Sequence, residues 1–392
     1  MRGILPVLHS DTEVLAALES DSAKIIAAPP SYPFLIALKA QQRPILVVTS
    51  SSRSAEDLAE SLRDLHARVY EFPAWETLPH ERLSPRSDTV AQRIATLYSL
   101  QLSDEIHPVV VAPVRAVIHR FIASLATQPL WTLEIGQEIG LTELITHLTE
   151  LAFTRTDLVE KRGEFAVRGG IVDVFLPLAM HPVRIDFFGD EIEDLSYFEV
   201  SDQRTFQTVV GSVAIYPCRE FLLSNETKHR ALEIADEYPA AAEMLGKIAE
   251  GITFEGMESL IPLLIDQTES LLTRMPTNTQ IVFIDEQRIK SRAADLLATN
   301  EEFLNASWSN AALGATAPIH DGAGTYMDWQ ELFDEITKAG MSSYELSPFG
   351  TDLDPETTFL EFAAIDPMRG DIERAIATLR QALEDHRTVV FA

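Results

Sequence analysis

The fold class is decided by residues 45–72, which read ILVVTSSSRSAEDLAESLRDLHARVYEF. The run Ile45–Thr49 is apolar without alternation, the pattern of a parallel strand that is covered on both faces. Ser54 then opens a segment with leucines at helical spacing, and residues 68–72 return to a strand pattern. Strand, helix and strand at this spacing predict a doubly wound α/β layer with a parallel sheet.

The same alternation continues on both sides of this stretch. Residues 24–28 and 109–111 are further buried strand patterns, and residues 88–97 carry an apolar stripe at helical spacing. Both observations extend the predicted α/β layer over the first third of the chain.

The pattern changes after about residue 128. Residues 163–175 and 183–188 each have a strand pattern, and a third strand is expected near 195–200. Strands that follow one another without helices between them predict a small antiparallel α+β domain.

These changes divide the chain into four predicted parts. They are a first α/β segment (1–127), an inserted antiparallel α+β domain (128–215), a helix-rich second α/β segment (216–347) and the start of a further small α/β domain (348–392). A strand pattern over residues 388–391 ends the sequence, so we expect this chain to be part of a longer protein.

Charge and cysteine content restrict the class of protein. With 31 basic and 60 acidic residues the net charge is −29, of which −18 lies after residue 215. A field of this sign repels phosphate backbones, which disfavours a protein that grips DNA over its whole surface. The single cysteine, Cys218, excludes an intrachain disulfide, and no apolar run reaches the roughly 18 residues of a membrane span. We expect a soluble cytoplasmic protein.

The sequence has only part of the residue set that a nucleotide-binding site requires. A phosphate-binding loop needs glycines and a lysine, whereas residues 29–34, after the first strand, read PPSYPF. Residues 281–286, IVFIDE, match a Walker B strand, in which Asp285 would hold Mg²⁺ and Glu286 would orient a water. Without the loop we interpret the two carboxylates as a degenerate Walker B remnant or a helix cap. We predict no catalytic residue, no metal site and no bound cofactor in this chain.

The inserted domain offers a candidate interaction surface. Side chains alternate along a strand, so residues 183–188 are expected to send Arg184, Asp186 and Phe188 outward, and the neighbouring strand Arg168. Arginines and aromatics are enriched at protein–protein hot spots. The alternative is that Arg168 and Arg184 form ordinary cross-strand ion pairs with Glu164 and Asp186, and spacing alone leaves both interpretations open.

A third candidate is nucleic-acid binding by the proline-rich loop 73–87 and the helix that follows. Arg82, Arg86 and Arg93 would contact phosphates, and such binding would have to weaken as salt is raised; we expect little of it. An ordered connection between a strand and a helix is the alternative.

Several long motifs resemble the N-terminal region of bacterial transcription-repair coupling factors. They are residues 72–79 (FPAWETLP), 83–98, 163–175 (GEFAVRGGIVDVF), 184–193 (RIDFFGDEIE) and 256–258. The resemblance extends over most of residues 1–300 and implies a UvrB-like fold. In that fold a degenerate RecA-like parallel α/β domain is made of two chain segments, with a small antiparallel α+β domain inserted between them.

The resemblance also implies a function. In this family the inserted domain recruits UvrA in transcription-coupled nucleotide excision repair, and the positions that match the family's UvrA contacts are Arg168, Arg184 and Phe188. The N-terminal module does not hydrolyse ATP. A C-terminal part, outside this chain, uses ATP and Mg²⁺ to translocate on DNA, displaces stalled RNA polymerase and masks the UvrA surface.

The resemblance leaves one alternative function, an active ATP-dependent DNA helicase of the UvrB type. The retained pair Asp285 and Glu286 favours it, since family members often lose these residues. Against it, the chain lacks the aromatic-rich hairpin with which UvrB clamps DNA, because only Trp75 stands in the corresponding loop.

Overall fold

The computed structural model describes residues 5–19, 24–78, 83–102, 104–127, 130–239, 241–312, 325–350, 357–360, 362 and 371–384. Within these ranges the strands, in chain order, are β1 (Lys24–Ile26), β2 (Ile45–Thr49), β3 (Val69–Glu71), β4 (Val109–Pro113), β5 (Phe121–Ile122), β6 (Trp131–Glu134), β7 (Thr154–Arg155), β8 (Glu164–Arg168), β9 (Ile171–Val174), β10 (Val183–Phe188), β11 (Glu191–Phe198), β12 (Thr205–Thr208), β13 (Ser212–Ile215), β14 (Thr268–Glu269), β15 (Gln280–Ile284), β16 (Ser342–Ser347) and β17 (Thr357–Phe359). Arg82 and the strand predicted over residues 388–391 lie outside the described residues.

The helices within the same ranges follow in chain order. They are α1 (Leu5–Leu8), α2 (Thr12–Glu19), α3 (Tyr32–Ala40), α4 (Ser52–Arg63), α5 (Ser87–Gln101), α6 (Val114–Ile118), α7 (Leu141–Glu150), α8 (Asn225–Ile234), α9 (Ala242–Ala249), α10 (Ile261–Leu264), α11 (Glu286–Ala312), α12 (Trp329–Lys338) and α13 (Ile372–Glu384). In the part of the chain that the structure covers, no helix combines the length and the apolar character needed to cross a membrane.

Seven strands form one parallel sheet in the order β17-β1-β16-β15-β2-β4-β3. Leu46 and Val48 of β2 pack toward α5, α11 and α12, whereas Ile45 and Val47 pack toward α3 and α4. Both faces of the central strands are therefore buried, which explains their continuously apolar sequences. The predicted doubly wound α/β layer is confirmed.

The sheet is assembled from two separate segments of the chain. Strands β1 to β4 precede the antiparallel domain, and β15, β16 and β17 follow it. The predicted two-segment α/β unit with an inserted domain is confirmed. Beyond residue 348, where we predicted a further domain to begin, Thr357–Phe359 pairs in parallel with Lys24–Ile26 and adds an edge strand to this same sheet.

The inserted domain is built on a second sheet, with the order β12-β11-β10-β9-β8-β7. Helix α7 covers one face, where Leu144 and Leu148 share a buried cluster with Val172 and Ile185. Residues 163–175, which we predicted as one strand, form the hairpin of β8 and β9 instead. The chain reverses there because the turn residue Gly169 adopts a φ of +63°, a conformation open to glycine.

Candidate partner-binding face

Strand β10 presents alternate side chains to the two faces of the antiparallel sheet, as predicted. Val183 and Ile185 are fully buried on the side of α7. Arg184, Asp186 and Phe188 lie on the other side and become more exposed toward the end of the strand. This second side carries the candidate interaction surface.

The pairing register brings residues from four strands together on that side, because directly opposed residues of an antiparallel pair share a face. One row crosses β8, β9, β10 and β11, and the next row pairs Phe188 with Glu191. The first row consists of Arg168, Ile171, Asp186 and Asp194. We call these six residues the open face.

Phe188 is the most exposed apolar member of the open face. It is the last residue of β10, immediately before Gly189, which turns the chain into β11 with a φ of +64°. Its side chain remains 76% exposed. Full burial of a phenylalanine is favourable by about 2 kcal/mol, so a partner that covers this ring gains that free energy.

Arg168 lies at the opposite edge of the open face, at the end of β8. Its guanidinium donates a hydrogen bond to the backbone carbonyl of Asp157 at 2.9 Å. It forms no ion pair with any residue that the structure describes, and it is exposed. Donors of the guanidinium therefore remain available to an acceptor outside the chain.

The side chain of Arg184 is bound to residues of its own domain. Its guanidinium forms two parallel bonds with the carboxylate of Asp173, at 2.7 and 2.9 Å, and a third with the carbonyl of Gln203 at 3.3 Å. Phe198 lies beneath it, with the guanidinium carbon 5.0 Å from the ring centre. The hydrogen bonding that Arg184 donates to the carboxylate of Asp173 raises the pKa of the guanidinium above its usual value. The expected ion pairing occurs, but with Asp173 rather than with Asp186.

A small second core accounts for the partial burial of Arg184. Val159, Ala166, Phe175 and Phe198 form a buried cluster on the same side of the sheet as the open face. The loop around Gln203 is tied to it by a hydrogen bond to the carbonyl of Val159 at 3.3 Å. Only the hairpin end of this side, which holds the open face, is left uncovered.

Asp186 lies between the apolar and the acidic residues of the open face. Burial raises the pKa of its carboxyl; Arg184 opposes this rise, and Asp194 and Asp173 add to it. Within the described part of the chain Asp186 has no ion-pair partner. Its charged form is thus stabilised less well than that of an ordinary surface carboxylate.

Asp285 and Glu286 follow β15 directly, at the position the sequence assigned to them. Asp285 accepts a hydrogen bond from the backbone N–H of Arg288 at 3.4 Å and so caps α11. The backbone N–H of Glu286 donates to Glu345, which is ion-paired with Lys24 at 2.9 Å. Burial, and then the nearby charge of Glu345, raise the pKa of Glu286. Asp285 is a helix cap, and its origin as a Walker B remnant stays a prediction.

The segment before α3 does not fit a nucleotide phosphate. Pro29–Ser31 form a single 3-10 turn, and α3 begins at Tyr32 with Pro33 in its first turn. Prolines have no N–H group to donate, and the side chain of Tyr32 is buried. The converging backbone donors of a phosphate loop are replaced here by proline rings.

The described arginines of the nucleic-acid candidate are bound to other residues of this chain. Arg93 is fully buried and donates to the carboxylate of Glu220, which also accepts from the indole N–H of Trp75 at 2.9 Å. The Arg93 guanidinium stacks 4.1 Å from the ring centre of Phe72. Arg86 is ion-paired with its neighbour on α5. The interpretation of Arg93 as a phosphate contact is not supported, because its side chain is fully buried in the core.

Sequence reasoning missed Asp173, the partner of Arg184. An aspartate in the apolar run Ile171–Val174 is a usable signal, because a carboxylate in a buried strand requires a cationic partner. Which arginine supplies that partner depends on the register between β9 and β10, which the sequence does not determine.

Comparison with known proteins gives two findings. A family model described as the UvrB interaction domain matches residues 131–221, which include the whole open face. The chain is also similar to the transcription-repair-coupling factors of Mycobacterium tuberculosis (39% identity over 381 residues), Myxococcus xanthus (32% over 280) and Escherichia coli (27% over 303). These alignments cover 91%, 66% and 72% of this chain and 31%, 23% and 25% of the relatives. The chain thus spans between about a quarter and a third of the length of the relatives it matches.

Proposed function

The chain belongs to the transcription-repair-coupling factor family, and on that basis we propose that it is a UvrB-like module that recruits UvrA in transcription-coupled DNA repair. The proposal rests on the composition and exposure of the open face. This face lies within residues 131–221, which match a UvrB interaction domain. It combines the exposed ring of Phe188 with Arg168, which has no ion-pair partner among the described residues.

The geometry supports different proposed roles for the three residues that the resemblance singled out. Phe188 supplies the apolar anchor, and Arg168 supplies hydrogen-bond donors at the edge. Arg184 lies beside the open face on the same side of the sheet and supports it there, because its guanidinium is already bound to Asp173. We propose that Phe188 and Arg168 contact UvrA and that Arg184 is a positioning residue.

We further propose that this chain acts by binding, without turnover of its own, in the cytoplasm. ATP, Mg²⁺, DNA and RNA polymerase would be handled by the remainder of the whole protein, and a C-terminal domain of that remainder would mask the open face. The supporting observation is the segment Pro29–Ser31 with Pro33, where prolines replace the donors of a phosphate loop.

Titration of the chain with ATP and Mg²⁺ is expected to give no saturable binding. The physical reason is the lack of converging N–H donors between β1 and α3. Isothermal titration calorimetry measures this directly, with intact UvrB as the positive control. Saturable binding that is lost in an Asp285→Asn variant would favour the alternative, a UvrB-type ATPase.

Replacing Arg168 with alanine is expected to weaken binding to UvrA by about tenfold, since an interfacial arginine typically contributes 1–2 kcal/mol or more. Folding should be unaffected, because the side chain is exposed. Arg155→Ala is the matched control, an exposed arginine at the edge strand β7 of the same sheet. Equal affinity of the Arg168 and Arg155 variants would exclude Arg168 from the contact.

A further inference from the structure

The open face is ordered by charge from one edge to the other. Arg168 on β8 is followed by Ile171 on β9, then by Asp186 on β10 and Asp194 on β11, and Glu191 stands opposite Phe188. Basic, apolar and acidic side chains therefore succeed one another across the four strands.

The acidic side of this surface is not neutralised within the described part of the chain. The guanidinium of Arg184, whose charge acts on Asp186, makes both of its parallel hydrogen bonds to Asp173. Asp194 accepts a hydrogen bond from the hydroxyl of Ser196, a neutral group. Asp186 and Glu191 have no ion pair with any described residue, and Glu191 is exposed.

Covering Phe188 has a consequence for these carboxylates. Opposed residues on neighbouring antiparallel strands lie about 5 Å apart, so a partner that encloses the ring also removes water from Glu191. Asp186 is next to Phe188 on the same face of β10 and loses water with it. A carboxylate that loses water without gaining a cation or donor opposes association. The partner surface that covers Phe188 must therefore carry positively charged side chains.

From this arrangement we infer that the partner's contact surface carries basic side chains against Asp186, Glu191 and Asp194, beside an apolar pocket for Phe188, and an acceptor against Arg168. The inference rests on the proposed function and adds to it the chemistry and orientation of the partner. A second copy of this chain does not meet the requirement, because it would set acidic residues of a protein of charge −29 against each other. A nucleic acid is excluded for the same reason of sign.

The test is a charge reversal on the acidic side. Glu191→Lys in the 392-residue chain is expected to weaken binding to purified UvrA about tenfold at low salt, because like charges meet at the interface. The loss should shrink as NaCl is raised, since salt screens exposed charges. Glu143→Lys is the matched control, an exposed glutamate on α7, on the covered side of the sheet. Its affinity should stay within about twofold of wild type.

Two other outcomes would separate this inference from the proposed function. If Glu191→Lys binds UvrA as well as wild type or more tightly, while Arg168→Ala weakens binding, the inferred basic surface is wrong and the recruitment site stands. If Arg168→Ala and Phe188→Ala both bind like wild type, the recruitment site itself is wrong, and the inference fails with it.

Discussion

Replacing Arg184 with alanine is expected to lower the free energy of unfolding of the inserted domain by about 3 kcal/mol, a typical result of breaking one side of a buried ion pair. The variant leaves the carboxylate of Asp173, whose side chain is 3% exposed, without its cation. It also removes the bond to Gln203 and uncovers Phe198. Native-state amide hydrogen exchange in β9, β10 and β11 measures this loss for the domain alone.

Arg204→Ala is the matched control for this prediction. Arg204 is an exposed arginine of the same domain, so its removal should change the free energy of unfolding by no more than about 0.5 kcal/mol. At a temperature where the Arg184 variant remains folded, its affinity for UvrA should lie within about threefold of wild type. Unchanged hydrogen exchange together with a large loss of UvrA binding would show that Arg184 contacts UvrA itself.

The α/β layer was predictable because strands that are buried on both faces leave a local pattern in the sequence. Strands such as β2 and β4 are covered on each side by helices, so their sequences are continuously apolar. The hairpin of β8 and β9 was missed for a related reason. Its turn consists of two glycines within an apolar stretch, and periodicity alone does not separate two short strands from a single long one.

The ion pairs were less predictable, because they join residues that are distant in sequence. Arg184 meets Asp173 through strand register, and Arg93 meets Glu220 across 127 positions. A local signal for Arg93 was present. It lies three residues after Val90 and four before Leu97, on the buried stripe of α5, where an arginine requires a buried partner. Exposure of Phe188, by contrast, followed directly from alternation along β10.

Replacing Phe188 with alanine is expected to have the largest effect on binding to UvrA. Truncation of a central aromatic anchor typically costs 2–4 kcal/mol, which corresponds to a loss of affinity of about 30-fold or more. The ring has little to contribute to folding, since 76% of it is already exposed. The variant should therefore unfold like wild type while it binds UvrA poorly.

Isothermal titration of UvrA with the wild-type chain, Phe188→Ala and Phe206→Ala shows directly whether the open face binds UvrA through Phe188. Phe206 is the matched control, a phenylalanine of the same domain that is 49% exposed on the edge strand β12, outside the open face. We expect Phe188→Ala to lose about 30-fold or more in affinity and Phe206→Ala to stay within about twofold of wild type. Wild-type affinity of the folded Phe188→Ala variant would contradict this expectation.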